Sequence, residues 1–553
     1  MREQRRSTVL AAALLVAAAL LSAQEQQPRR PPGFTPYRHR HSVEDLRHRF
    51  SAPMMADAAR EVALLEEANR RGPYAPTLES LATHPVPEWY RDAKLGVFLD
   101  WGLYSVAGYG EKRFARARYP DWYLDHMYNV LAPYHAATWG AAFERDDFIP
   151  LFTASRFDAE ALVALVKESG ARYLVPFSKH HDGFCLWASR FTERDVADMS
   201  PGRDVTAQLV GECRRQGLRH GFYFSVEEWE YPVLLDGDRL GLRLWSTDVP
   251  AGATVESRGD PLVLAFDSAR HDHMVSGKVP VRDFVSQYIL PQAKDFIDTY
   301  DPDILWFDGD WTRPASHYRT PDLVAYFYNR ARGSKEVAAN DRLGQGTRGH
   351  CGDFYTSETD EIVAPLDHPW EENRSMGESY GYYWKDDEST LLPTDDLVRM
   401  LVRVVAKGGN LMLLVSPDGT GRIPESQASR LREIGAWLRV NGEAIFDTRP
   451  HSVACDTSQL GQNVWYTRSK DGRYAYAIVF TPPTGESVVL KSAKPVWEKN
   501  VTILGYPRPL APNESWVDTG SAYGMVVRIP EELRRAGNRP PAWVIRYETR
   551  QQE

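Results

Sequence analysis

The stretch DILWFDGDW, residues 303–311, sets two carboxylates, Asp308 and Asp310, between Trp306 and Trp311 at the end of an apolar run. A carboxylate beside an indole face suits chemistry on a sugar ring. Glycoside hydrolysis passes through an oxocarbenium-like transition state. It needs one ionised carboxylate at the anomeric carbon and a second carboxyl that protonates the leaving oxygen, held in different environments. In an extended chain Trp306 and Asp308 share a face, and Asp310 falls just past the strand end. Asp308 and Asp310 are too close in sequence to flank a ring, so the partner carboxyl must come from another strand. The structural alternative for Asp308 is a strand terminus salt-bridged to Arg342.

A second concentration is KHHDGFCLW, residues 179–187. His180, His181 and Asp182 could hold a metal, but adjacent strand residues point to opposite faces, so the two rings could share an ion only past the strand end. The spacing matches no zinc-binding pattern. Hydrogen bonding to sugar hydroxyls fits better, and no metal or cofactor is expected.

These groups need a scaffold. Apolar runs at 95–102, 173–182, 221–229, 303–311, 337–344, 353–358 and 410–419 alternate with amphipathic segments. Asp158 to Gly170 and Asp204 to Gly217 each read as a helix with an Asp N-cap and a closing Gly, followed at once by a strand. That is the βα rhythm of a parallel sheet. It predicts an α/β fold with a (β/α)8-type barrel over residues 85–445; a doubly wound open sheet is the alternative. Polar residues gather at the C-terminal ends of these runs (Asp100, His180, His181, Tyr223, Glu227, Glu228, Asp308, Arg342, Glu358), where such a barrel builds its active site. From residue 446 to 553 the helical rhythm gives way to short alternating strands with Gly- and Pro-rich turns, predicting an antiparallel β-sandwich.

The ends of the chain are also legible. Residues 1–23 read as a signal peptide, with Arg2, Arg5 and Arg6 before an apolar stretch from Val9 to Leu21 and a small residue, Ala23, at the cleavage point. Export to the periplasm or outside follows as an expectation, with no membrane attachment after cleavage. Residues 24–84 form a leader and extension, and the Gln-, Pro- and Arg-rich part up to residue 45 is expected to be poorly ordered. A formal net charge of −9 argues against nucleic acid as a partner. Four widely spaced cysteines suggest no zinc site and leave disulfide pairing unread. The expected partner is a carbohydrate substrate; homo-oligomerisation is left open.

Taken in order, WYRDAKLGVFLDWGLYSV, DWY at 121–123, KHHDGFCLW, GFYFS, PDILWFDG, NDR at 340–342, DFYTSE and AKGGNLMLLVSPDGTGRIP closely resemble the α-L-fucosidases of glycoside hydrolase family 29. The resemblance runs from about residue 86 to 450 and implies a barrel followed by a β-sandwich. It implies an exo-acting enzyme that removes terminal α-L-fucosyl residues with retention. By motif, Asp308 matches the nucleophile and Glu358 the acid/base, with Glu371, Glu372 and Glu378 as competitors for the second role. Trp122, His180, His181, Tyr223, Trp306 and Arg342 match substrate contacts. Two positions depart from the family pattern. Asp100 stands where a histidine is usual and Asp121 where a glutamate is usual. Both are expected to touch the sugar, and Asp100 to raise the pKa of Asp308 unless Arg342 offsets it. A relative acting on another L-sugar, or a non-catalytic sugar binder, is the alternative.

Overall fold

The protein is seen in a computed structural model that describes residues 27–549 apart from 114–117, 246–252, 259–260, 359–361, 363, 458–462, 481–485, 497–498, 519–523 and 536–538. The expected signal peptide lies outside the described residues. The seven apolar runs each yield a parallel strand, and an eighth strand, Trp370–Ser375, forms where the sequence reading placed none: β1 (Leu95–Leu99), β2 (Tyr173–Lys179), β3 (Arg219–Ser225), β4 (Ile304–Asp308), β5 (Ala338–Ala339), β6 (Tyr355–Ser357), β7 (Trp370–Ser375) and β8 (Asn410–Val415). Their order in the sheet is β6-β7-β8-β1-β2-β3-β4-β5. The last strand thus pairs with the first, and a parallel bridge between Asn340 and Phe354 joins β5 to β6. The sheet is a barrel, and the open doubly wound alternative is excluded.

The two helices read from sequence are present. Ala159–Glu168 is capped by the Asp158 carboxylate, which accepts from the Ala161 amide. Val205–Gln216 is capped likewise by Asp204 and closed by Gly217 in the left-handed conformation, where a side chain would be strained. Helices Leu290–Tyr300, Thr320–Ala331, Thr394–Ala406 and Glu425–Asn441 continue the outer layer.

The structure departs from the sequence reading in two further places. Residues 27–41 are not loose. The Phe34 ring packs 5.0 Å from Phe143, and the Tyr37 amide donates to Asp147 Oδ1 at 2.5 Å. A 29-residue helix, Val43–Arg71, follows, with a reciprocal Ser42–Asp45 capping box. It lies against the helices Leu290–Tyr300 and Thr320–Ala331. The second departure is an antiparallel sheet of four strands (Glu230–Leu234, Leu240–Leu244, Val255–Ser257, Leu262–Ala265) inserted after β3. All four cysteines are free.

Beyond Thr448 two antiparallel sheets, of five and three strands, form the C-terminal layer pair. Their five sequence-legible strands, Asn463–Ser469, Tyr474–Val479, Ser487–Leu490, Gly524–Arg528 and Trp543–Glu548, all form. The barrel core runs on into this layer: Trp437 of Glu425–Asn441 shares one apolar cluster with Tyr476, Ile478, Phe480 and Val544. Its indole N–H donates to the Ala542 carbonyl at 3.0 Å. Trp437→Ala is therefore expected to cost about 3–5 kcal/mol, with barrel and sandwich melting in one calorimetric transition. Two separate transitions in the unmutated protein would show that this shared core does not couple them.

Candidate active site

The strands deliver their polar ends to one cavity of about 370 Å³ at the C-terminal mouth of the barrel. Asp308 is the last residue of β4, and its carboxylate is held from three sides. Arg342 Nη1 donates to Oδ1 at 2.9 Å and the Tyr223 hydroxyl to Oδ2 at 2.8 Å. Arg348 Nη2 stands 3.9 Å from Oδ1. Arg342 reaches further: its Nη2 forms an ion pair with Glu358, just past β6, its Nε donates to Thr356 Oγ1 at 2.9 Å, and its guanidinium lies 4.4 Å over the Trp306 ring. One cation thus joins both carboxylates that the sequence singled out. Glu358 is the more open of the two, its side chain 40% exposed against 11% for Asp308.

Burial alone would raise the Asp308 pKa, but Arg342, His181, Arg348 and the Tyr223 hydrogen bond outweigh it and bring it down to about 2. His181 contributes charge only in strong acid, because burial and neighbouring His180 push its own pKa down to about 3. At neutral pH the stabilisation therefore falls chiefly to Arg342. The sequence reading expected Asp308 to rise unless Arg342 offset it, and Arg342 does offset it.

β2 ends at Lys179, so His180 and His181 both lie past the strand end, their rings 4.3 Å apart. Ser225 Oγ donates to the Glu227 carbonyl, so it must accept from His181 Nδ1, 2.5 Å away. That assigns the His181 proton to Nδ1 and leaves Nε2 a bare acceptor, 3.7 Å from Asp308. His180 is neutral as well, held down to about 4 by burial. Asp121 and Trp122 enter on the short turn Pro120–Trp122. Asp121 Oδ2 is 3.6 Å from His180 Nε2, and Oδ1 has no partner among the described residues. Burial, with smaller pushes from Asp308 and Glu358, raises its pKa to about 8, so Asp121 is a neutral acid at pH 7.

Asp100 does not line the cavity. It is fully buried, with Oδ1 accepting the Tyr104 hydroxyl at 2.5 Å and Oδ2 the Gly381 amide at 2.6 Å. Fully buried and absent from the cavity lining, it does not take the place in the sugar pocket that the sequence reading expected. It anchors the segment whose Tyr380 does line the cavity. Gly381 sits at φ +81°, and a Cβ there would come within 2.7 Å of the Asp121 backbone nitrogen. The Asp100 anchor thus also braces the turn that carries Asp121.

The competing carboxylates are spent elsewhere. Glu371, fully buried in β7, accepts from Trp306 Nε1, Tyr90 and Tyr173 at 3.0, 3.0 and 2.5 Å. Glu372 pairs with Arg374 at 3.0 Å, and Glu378 makes a surface ion pair with Lys112. Asp310 is clamped by Arg348 through two bonds of 2.8 and 2.7 Å. Glu227 is clamped by Arg243, and Glu228 lies between Lys179 and Lys278. Among the described residues, the carboxylates facing the cavity are Asp121, Asp308 and Glu358.

Sequence reasoning missed several wall residues: Phe98, Tyr119, Phe177, Trp245, Asn373 and Tyr380. Trp245 comes from the inserted sheet, which the Arg243–Glu227 clamp fastens to the end of β3. With Trp122 and Trp311 it forms a triangle of indoles with centroids 5.6–6.1 Å apart. Alternation of Leu240, Leu242 and Leu244 was the available signal for that strand.

Comparison with known proteins agrees with this geometry. Residues 62–443 match the family model described as alpha-L-fucosidase, and residues 456–548 match the alpha-L-fucosidase C-terminal domain. The chain is 31% identical over 480 residues to an alpha-L-fucosidase of Branchiostoma floridae, covering 86% of this chain and 95% of that one. It is 31% identical to the plasma alpha-L-fucosidase of Homo sapiens, covering 83% and 89%. The solved alpha-fucosidase of Thermotoga maritima superposes with a TM-score of 0.67 at 29% identity, over 86% of this chain and all of that one.

Removing the Asp100 acceptors should free the Gly381 amide. Hydrogen exchange at that amide in Asp100→Ala is expected to be roughly tenfold faster, whereas Asp100→Asn, which keeps an acceptor oxygen, should hold it. Equal protection in wild type and Asp100→Ala would place the anchor elsewhere.

Proposed function

The chain belongs to the alpha-L-fucosidase family of glycoside hydrolases, and from that footing we propose that it is an exported enzyme that hydrolyses terminal α-L-fucosyl residues with retention of configuration. The observation that carries this reading is the single guanidinium of Arg342 shared by Asp308 and Glu358. Two carboxylates on neighbouring nitrogens of one cation favour the separation of about 5–5.5 Å used for direct attack over the 6.5–9.5 Å that leaves room for a water.

In the first step Asp308 attacks the anomeric carbon, and the glycosidic C–O bond breaks as Glu358 gives its proton to the departing oxygen. The product is a glycosyl ester on Asp308. In the second step Glu358 takes a proton from water, the water oxygen attacks the same carbon, and the Asp308 carboxylate leaves. Negative charge therefore moves from Asp308 to Glu358 and back, and Arg342 can neutralise either without moving. His181 Nε2 and the unpartnered Asp121 Oδ1 and His180 Nδ1 suit sugar hydroxyls. Trp122, Tyr223 and Trp306 complete the wall, though one face of Trp306 already carries Arg342.

Asp100 favours keeping a second reading. Its withdrawal from the cavity removes the imidazole contact usual in the family, so a different or substituted L-sugar fits the same machinery. Export rests on the signal-like residues 1–23.

The test is nitrophenol release from aryl α-L-fucoside, α-L-galactoside, β-D-galactoside and α-L-arabinoside by the mature protein. The fucoside should be cleaved, and Asp308→Ala should abolish turnover. Cleavage of another sugar instead would move the substrate assignment; silence on all four would sink it. Glu358→Gln should lose roughly 10²–10⁴-fold with a poor leaving group and much less with an acidic phenol; an equal loss with both would remove Glu358 from the acid role.

The pH profile gives an independent check. A carboxyl depressed to about 2 stays ionised above that pH and loses its charge only as pH falls through it. In Arg342→Met burial is left with less to oppose it, so the acid limb of kcat/KM should move up by at least about one pH unit. An unmoved limb would show that Arg342 does not hold Asp308 ionised.

A further inference from the structure

Lys94 stands at the other end of the barrel, between the short helix Glu88–Ala93 and β1. It is only 2% exposed, and the carboxylates that act on its ammonium, Asp92 and Asp447, do so through space, with no ion pair to either among the described residues. An isolated buried charge is strongly disfavoured, so such a group either loses its proton or gains a counter-charge. Burial, with repulsion from Arg449 and Arg91, outweighs the attraction of Asp92 and Asp447 and lowers its pKa to about 7.

The side chain borders a cavity of about 270 Å³ that is separate from the catalytic one. Arg91, Arg449, Arg468, His368 and Asn410 also line it. They come from the barrel floor, from the segment entering β7 and from the first two strands of the sandwich. Arg449 is already committed to Asp92 and Glu88, at 2.7 Å each. Arg468 is not: only its Nε is engaged, donating to the Pro450 carbonyl at 3.0 Å. The carboxylate in the lining, Asp367, is exposed. Asn410 Nδ2 already donates to the Tyr90 carbonyl at 2.8 Å and His368 Nδ1 lies 2.9 Å from the Pro369 carbonyl, so the donors left facing the cavity are the terminal nitrogens of Arg468 and the Lys94 ammonium.

We propose that this cavity binds a tetrahedral oxyanion, phosphate or sulfate, which supplies the counter-charge of Lys94 and ties the barrel floor to the sandwich. A chloride ion could balance the charge but could not accept from lysine and arginine in several directions at once, as the oxygens of a tetrahedral anion do.

Thermal melting and calorimetric titration of the mature full-length protein test this without reference to catalysis. Sodium phosphate or sulfate is compared with sodium chloride at equal pH and ionic strength. The wild-type melting temperature should rise saturably with either oxyanion. Lys94→Met removes the charge but keeps the bulk. It should melt higher than wild type in chloride and show no response to phosphate. Arg468→Gln should fold normally and weaken phosphate binding about tenfold. The proposal falls if wild type shows no saturable rise. It also falls if Lys94→Met responds as wild type does, or if that variant melts lower in chloride, which would mean that the ammonium has a partner within the protein.

Discussion

Everything at the mouth of the barrel depends on one buried guanidinium. Two carboxylates in a cavity walled by indoles and phenols would repel each other, and desolvation would neutralise them. Arg342 makes their coexistence stable by touching both. Its own placement is unusual, because it follows β5, a strand of two residues. Side chains extend the ladder where the backbone stops. The Asn340 amide exchanges two hydrogen bonds with the Phe307 backbone, at 3.0 and 2.9 Å. Asp353 accepts from the Ala339 amide, and Asp341 accepts from Gly349 and Thr356. The cation is fixed by a lattice of carboxamide and carboxylate bonds made by the buried side chains of Asn340, Asp341 and Asp353.

The same accounting explains why a cavity rimmed with so many acids has few that face it. Asp310, Glu227, Glu228 and Glu371 are each consumed by dedicated partners. Those partners do structural work: Arg348 is drawn toward Asp308, the inserted sheet is fastened to β3, and Trp306 is set upright by the acid beneath its ring. What remains facing the cavity is one ionised carboxylate, one neutral acid at Asp121 and one accessible carboxyl at Glu358.

Much of this was legible in the sequence. The βα rhythm, the Asp-capped helices and the polar strand ends are local patterns, and local patterns survive in a one-dimensional reading. Asp308 and Trp306 were found because strand periodicity puts them on one face. Glu358 and Arg342 were found among the polar strand ends, but their roles came through motif resemblance, since no spacing rule links residues on different strands. Asp100 was misread because its direction is set by Gly381, 281 residues away. The inserted sheet was missed because its strands are short and interrupted by Gly- and Asp-rich turns. The N-terminal leader was misread because composition suggested looseness, while two aromatic residues, Phe34 and Tyr37, hold it down.

The inserted sheet has a consequence for how such a protein can change over generations. It leaves the chain after β3 and returns before β4, two strands that are neighbours in the barrel. Lengthening, shortening or exchanging it need not shift the register of any barrel strand. Yet it supplies Trp245, one side of the cavity in which the ligand must fit. Selection can therefore recut this wall in a single insertion or deletion while the charged floor stays as it was. One wall of the pocket and the carboxylates at its floor are thus inherited on separable pieces of chain.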